Sequence, residues 1–298
     1  MSLAQIEKPY QVITDRVLAL LEQGTVPWQQ PWDRTTGVPR NLFSQRKYRG
    51  INVWLLTAMG YTSPFWATFN QVHTAGGSVR KGARGVPVVF WKIYTTEDPE
   101  TGDEDKRFVL RYFTVFNAAQ LDGVAVPEIA VTPSRFTPIE RCTQLVDTMP
   151  HRPAIRHGHH QACYTPATDT LHMPTPSCFH TPEAYYATLY HELVHAVGHP
   201  SRLNRKTLTD LCRFGDPTYA KEELVAEMGA SYLCGVCGIA NATLDNSAAY
   251  LASWMQVLHD YPTMLVHAAA QAQRAADYIQ NLPPDTGASE ERPSVSIG

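Results

Sequence analysis

From Thr181 the chain reads TPEAYYATLYHELVHAVGHP, and no other stretch limits its fold as tightly. A threonine followed by proline is a helix start, with Thr181 as N-cap and Pro182 at the first helical position. The spacing predicts a helix from there to about Gly198. On that helix His191 and His195 stand one turn apart on one face, their Cβ atoms about 5–6 Å apart. Two imidazoles so placed can hold one cation. Glu192 then stands beside the cation, where a carboxylate takes a proton from an attacking water. The competing reading is a pair of satisfied core histidines, and a third ligand separates the two. His199 lies about 12 Å along the axis from His191 at about 1.5 Å per residue, and the histidine that would extend the motif at position 201 is Ser201. The better source is EELVAEMGASYL on a following helix, predicted from about Tyr219 to Leu233. There Glu223 and Glu227 share a face at i, i+4.

A chain of 298 residues has room for two domains with their own cores. No apolar run reaches the roughly 18 residues of a membrane span, so no membrane partner is expected. The N-terminus reads as an amphipathic helix with Ile6, Tyr10, Ile13, Val17, Leu20 and Leu21 on one stripe, not as a signal peptide. A cytoplasmic location is the default expectation. All 6 cysteines lie from Cys142 onward, and the pair Cys234 and Cys237, with no second pair to complement it, reads as buried, inert thiols. A Pro-rich, aperiodic segment at 127–137 reads as a linker. It separates an N-terminal domain (1–126) from a C-terminal one (138–282), and residues 283–298 have the composition of a disordered tail. The first domain should carry a short helix at INVWLLTAMG, another in FWATFNQVHTAGG, and a β-hairpin of VPVVFWKIYTT with RFVLRYFTVFN. The second should open with a helix from Pro138 to Met149. Two strands follow with a turn at PATD, and their edge could align a peptide. His157–His160 and His172 read as a solvated strand edge in preference to further metal ligands.

Charge is unevenly distributed. Between Gly24 and Thr96 there are nine basic residues against one acid, and five of the six tryptophans fall in the same stretch. Cations interleaved with aromatic rings suit single-stranded nucleic acid: the charges track phosphates and the rings stack on unpaired bases. Trp54 and Trp91 read as core. Trp28 and Trp32, in an irregular Pro-rich segment, and Phe43 and Tyr48, among Arg40, Arg46, Lys47 and Arg49, are the stacking candidates. GGSVRKGARGVP adds Arg80, Lys81 and Arg84 beside glycine-lined backbone amides suited to phosphate.

The stretch Glu223-Leu-Val-Ala226-Glu227 resembles the second helix motif of the gluzincin metallopeptidases, with Glu in place of Asp at its last position. That resemblance implies Glu223 as zinc ligand and Glu227 as the acid bonded to the far nitrogen of a ligand histidine; the departure at Glu227 keeps the reverse open. Glu192 becomes the catalytic base. His, His and Glu would accept manganese or cobalt as well as zinc. Over about residues 5–282 the chain resembles the ArdC antirestriction family. The resemblance rests on VPWQQPW, PRNLFSQRKYRGINVWLL, GGSVRKGARGVPVVFWK and FTVFNAAQLDG, then on CYTPATDTLHMP, TPEAYYATLYHELVHAVGHPSRLNR and YAKEELVAEMGASYL. It implies an α+β protein with an N-terminal single-stranded-DNA-binding domain, shared with TraC-type plasmid primases, and a C-terminal zincin-like metallopeptidase domain. The implied role is plasmid-encoded protection of incoming DNA from host restriction. Three functions remain open on these grounds: a DNA binder with an auxiliary peptidase, a protease of host nucleases or DNA-bound proteins tethered by DNA, and a pure binder with a structural metal.

Overall fold

The first apolar stripe folds as its periodicity requires. Helix α1 (Leu3–Glu22) buries Tyr10, Ile13, Val17, Leu20 and Leu21 along one side. The structure, a computed structural model, describes residues 3–29, 37–97, 104–128, 137–205, 217–239 and 248–283. The expected linker lies largely, and the expected tail wholly but for its first residue, outside them. After a 3-10 turn at Pro27–Gln29 come β1 (Arg40–Asn41), α2 (Ile51–Thr57), β2 (Phe65–Thr68), α3 (Phe69–Thr74), β3 (Ser78–Val79), β4 (Val86–Glu97), β5 (Glu104–Asn117) and β6 (Leu121–Asp122).

Strands β1, β2, β5 and β4 form one sheet in that order, with β1 parallel to β2 and the rest antiparallel. The predicted hairpin is β4 with β5, running from Val86 opposite Val115 to Glu97 opposite Glu104. FWATFNQV, expected as helix throughout, is half strand. Phe65, Trp66 and Ala67 are buried on both faces of β2, and helix begins only where Thr68 forms a capping box with Gln71. The open edge of β4 is closed by a side chain: the Asn52 amide donates to the Val89 carbonyl (2.7 Å) and accepts the Val89 N–H (2.8 Å). That pairing satisfies two buried backbone groups a neighbouring strand would otherwise serve.

The second half contains α4 (Pro138–Asp147), β7 (Ala154–His157), β8 (Cys163–Thr165), β9 (Thr170–Met173), α5 (Pro182–Val197), α6 (Pro217–Cys237), α7 (Ala248–Asp260) and α8 (Met264–Ile279). Its sheet has three strands, not the two expected, in the order β7-β9-β8. The turn at PATD joins β8 to β9, with Asp169 in the left-handed region (φ 46°). The extra strand β7 pairs parallel to β9, a long-range pairing that no local turn signal announces.

Helix α6 packs against α5 at Gly229. A Cβ there would lie 2.7 Å from Val194 Cγ2, so any larger residue would push apart the two helices that carry the candidate ligands.

One hydrophobic cluster runs from Tyr10 to Ile279 and joins both halves of the chain. Trp54 of α2 meets Tyr232 of α6 edge-on at 4.6 Å. Polar bonds run alongside it: Thr14 Oγ1 donates to the Pro262 carbonyl (2.7 Å), Gly50 N–H to Gln273 Oε1 (3.1 Å), and Arg49 to Asp277 of α8. No helix among the described residues is long and apolar enough to cross a membrane.

Candidate metal centre and nucleic-acid surface

Thr181 caps α5 as its sequence requires, its hydroxyl accepting the Ala184 N–H at 3.2 Å with Pro182 in the first turn. This start fixes which residues face α6. His191 Nε2 and His195 Nε2 converge to 3.1 Å. From α6, Glu223 brings Oε2 to 3.5 Å from His191 Nε2 and Oε1 to 3.6 Å from His195 Nε2. These three side chains each offer a ligand atom within 4.8 Å of the other two. Donors about 2.0–2.1 Å from a tetrahedral ion lie about 3.3 Å apart, so the observed spacing and the N, N, O donor set fit a divalent cation.

A ligand imidazole must keep its proton on the nitrogen that faces away from the ion. For His195 that nitrogen, Nδ1, lies 3.2 Å from Glu222 Oε1. The carboxylate is in turn held by Arg205, whose guanidinium also donates to the Val194 carbonyl at 2.6 Å. Burial raises the pKa of Glu222, but the His195 hydrogen bond and the Arg205 charge outweigh it and pull it down to about 2. At His191 burial favours the neutral ring, yet the hydrogen bond to Glu223 and the charges of Glu192, Glu223 and Glu227 raise its pKa above the ordinary value. Glu192 is buried on α5 between the two histidines.

The acid beside His195 is Glu222, a residue the sequence reading did not single out. Adjacent helical residues point about 100° apart, so in the pair Glu222-Glu223 the second can face the ligand atoms while the first reaches behind His195. The doubled acid was the available signal. Glu227 is not one of the three converging groups; its carboxylate accepts the indole N–H of Trp28 at 3.2 Å.

Other candidates are placed as follows. His199 lies beyond the end of α5 and bonds Ser201 Oγ at 2.8 Å. His159 and His172 pair with each other at 3.0 Å, and His157 meets the Tyr185 hydroxyl at 2.9 Å. Cys234 and Cys237 are buried, with Cys237 Sγ 3.1 Å from the Tyr190 hydroxyl, and burial pushes the Cys234 thiol up and out of reach of ionisation.

The stacking candidates divide. Trp28 has no exposed surface and Tyr48 is 5% exposed, so neither ring can receive a base; both had the right composition around them but sit under the shared core. Trp32 lies outside the described residues. Phe43 is 43% exposed. Arg46, Lys47, Lys81 and Arg84 are exposed, and Arg40 is half-buried in β1. Arg49 is bound to Asp277, and Arg80 to Asp122 (2.9 Å) and the Ala119 carbonyl (3.0 Å). Trp91, expected in the core, is 44% exposed, with one edge against Tyr10 and His267. A ring the sequence reading missed is Phe113, 46% exposed. It ends a row of aromatics, Tyr48–Phe90–Phe113, with centroids 6.0 and 5.9 Å apart. The row leads from Tyr48, next to Lys47 in the chain, to the exposed Phe113 on β5.

Residues 143–271 match the profile of the zincin-like metallopeptidases, and residues 7–116 that of the N-terminal domain of the anti-restriction factor ArdC. The metal-free crystal structure of the antirestriction protein ArdC from plasmid R388 aligns with a TM-score of 0.71 at 38% identity, covering 92% of this chain and 98% of that one. The chain belongs to the ArdC antirestriction family. The Mn(II)-bound structure of the same R388 ArdC aligns with a TM-score of 0.70 at 37% identity over 91% and 97% of the two chains. Protein y4eC of Sinorhizobium fredii is 36% identical over 95% of both chains. DNA primase TraC of Escherichia coli is 35% identical over 93% of this chain but only 27% of the primase. The chain thus spans about a quarter of that relative's length, and the remainder of TraC has no counterpart in the match. ArdC-family architecture accounts for the α+β fold, with the zincin-like part carrying the converging histidines and glutamate.

Proposed function

We propose that the protein is an antirestriction factor that binds single-stranded DNA with its N-terminal half and hydrolyses peptide bonds with its C-terminal half. The observation that carries the enzymatic part is the convergence of His191, His195 and Glu223 at a spacing suited to one divalent cation. These three residues would hold the ion. Zinc is the metal of most sites with this donor set, and manganese is supported by the Mn(II)-bound relative. When bound, the ion supplies Lewis acidity, polarising a carbonyl and bringing the pKa of water toward neutrality. Glu192 then takes the proton of the attacking water and delivers it to the leaving amine. Glu222, through His195 Nδ1, keeps that imidazole in the tautomer whose Nε2 faces Glu223. The protein substrate of this reading is a restriction enzyme or another DNA-bound protein, brought near by the DNA. The test is cleavage of an unfolded protein by the intact chain with Zn2+ or Mn2+: cleavage that a chelator stops supports the reading, and inertness with both ions contradicts it.

The DNA half rests on exposed rings beside exposed cations, and on the ArdC-type domain and the TraC relatives. In this reading Phe43 and Phe113 stack on bases, and Arg46, Lys47, Lys81 and Arg84 meet phosphates. Four such contacts predict that log affinity for a single-stranded oligonucleotide falls with log salt at a slope of about −3. Phe113→Ala should weaken binding by about 1–3 kcal/mol, measured by fluorescence anisotropy, whereas Trp28→Phe should leave it unchanged. A flat salt response, or equal loss in both variants, contradicts this placement.

A further inference from the structure

Trp28 belongs to the ArdC-type segment, yet its contacts end beside the metal centre. The residue is fully buried in the 3-10 turn Pro27–Gln29. Its indole Nε1–H donates to Glu227 Oε2 at 3.2 Å, and its backbone carbonyl accepts the hydroxyl of Ser231. Glu227 and Ser231 are one turn apart on α6, so the helix grips the same residue at two points. Trp254 of α7 meets the indole edge-on, centroids 6.3 Å apart. An indole nitrogen is a donor only, and buried it requires an acceptor. A backbone carbonyl would serve equally well. The acceptor here is instead a carboxylate one turn from Glu223 on α6.

We propose that Trp28 is a positioning residue of the metal centre: its indole N–H holds the Glu227 carboxylate in place one turn from Glu223, so the N-terminal segment completes a site whose ligands all lie in the zincin-like segment. The proposal rests on the metal reading above and adds to it a dependence of metal affinity on a residue outside the peptidase segment. Groups that orient ligands from behind contribute about 10–100-fold to metal affinity.

The test is calorimetric titration of the full chain with Mn2+. Trp28→Phe keeps an aromatic ring and removes the donor, and should weaken Mn2+ binding by about tenfold or more. Ser231→Ala loosens the same turn without touching Glu227, and should bind Mn2+ like the parent. Glu227→Gln should weaken binding, and the double variant Trp28→Phe/Glu227→Gln should lose no more than the stronger single effect, because both act through one group. Parental affinity in Trp28→Phe, or equal losses in Trp28→Phe and Ser231→Ala, overturns the proposal. Absence of Mn2+ binding by the parent protein overturns the metal reading itself, which is a different result. A second measurement needs no variant. On Zn2+ titration of the 15N-labelled parent, hydrogen exchange at the Trp28 indole should slow while that at Trp54 stays constant; an unaltered Trp28 indole counts against the proposal even where Trp28→Phe does not fold.

Discussion

Glu192→Ala should lower metal-dependent peptide hydrolysis by about 10²–10⁴-fold, the range expected when a general base is removed. Metal affinity should change little, because two effects oppose each other at the ion. Removing a nearby anion weakens attraction for a dication. It also lowers the pKa of His191, which Glu192 helps to raise, and so reduces competition from protons for the ligand nitrogen. Single-stranded DNA affinity should stay constant, since Glu192 is buried in the other half of the chain. The variant therefore separates the possible modes of protection. If it protects incoming DNA as well as the parent does, binding suffices and the peptidase is auxiliary; if protection falls with hydrolysis, cleavage is the working step. A variant that retains full hydrolysis removes Glu192 from the chemistry.

The second large effect is expected behind the histidines. Arg205 and Glu222 are both buried, and Arg205→Met leaves a buried carboxylate without its cation. Breaking such a pair from one side destabilises by about 3–5 kcal/mol, readable in urea melts. Glu222 is held at about 2 against its ordinary 4.5. A depressed pKa of this kind contributes stability that is present above about pH 4.5 and is lost as pH falls toward 2. The gap between parent and Arg205→Met should accordingly be widest near neutrality and narrow in acid. Metal affinity should fall about 10–100-fold as the Glu222 carboxylate facing His195 Nδ1 loses the cation that holds it. The double variant Arg205→Met/Glu222→Gln should recover part of both losses: no charge is left unpaired, and the amide oxygen still accepts the imidazole N–H. A gap independent of pH would mean that the pair acts by packing alone.

What was legible in the sequence follows the range of the interactions involved. α5 could be read from Thr181-Pro182 and the His191/His195 spacing, because caps and i, i+4 neighbours are local. The same spacing put Glu223 and Glu227 on one face of a second helix, and the choice of Glu223 as ligand came from the gluzincin resemblance. Glu222 and Arg205 could not be assigned, because their roles depend on how α6 docks against α5 at Gly229, a close approach that propensity does not encode. β7 was missed because parallel pairing with β9 leaves no turn signature. Trp28 and Trp91 were exchanged in effect. Composition placed the first among DNA contacts and strand position placed the second in the core, while α6 and α7 pack onto Trp28, and Trp91, among the described rings, meets only Tyr10 of α1 and His267 of α8 at one edge. Ring composition identified the half of the chain that carries exposed aromatics, but not which ring faces out.

The central claim is that His191, His195 and Glu223 grip one divalent ion. Crystals grown with Mn2+ and measured at the manganese absorption edge test it directly. The account predicts a single strong anomalous peak about 2 Å from His191 Nε2, His195 Nε2 and a Glu223 carboxylate oxygen. A map with no peak there, at Mn2+ concentrations that saturate the R388 relative, would contradict it.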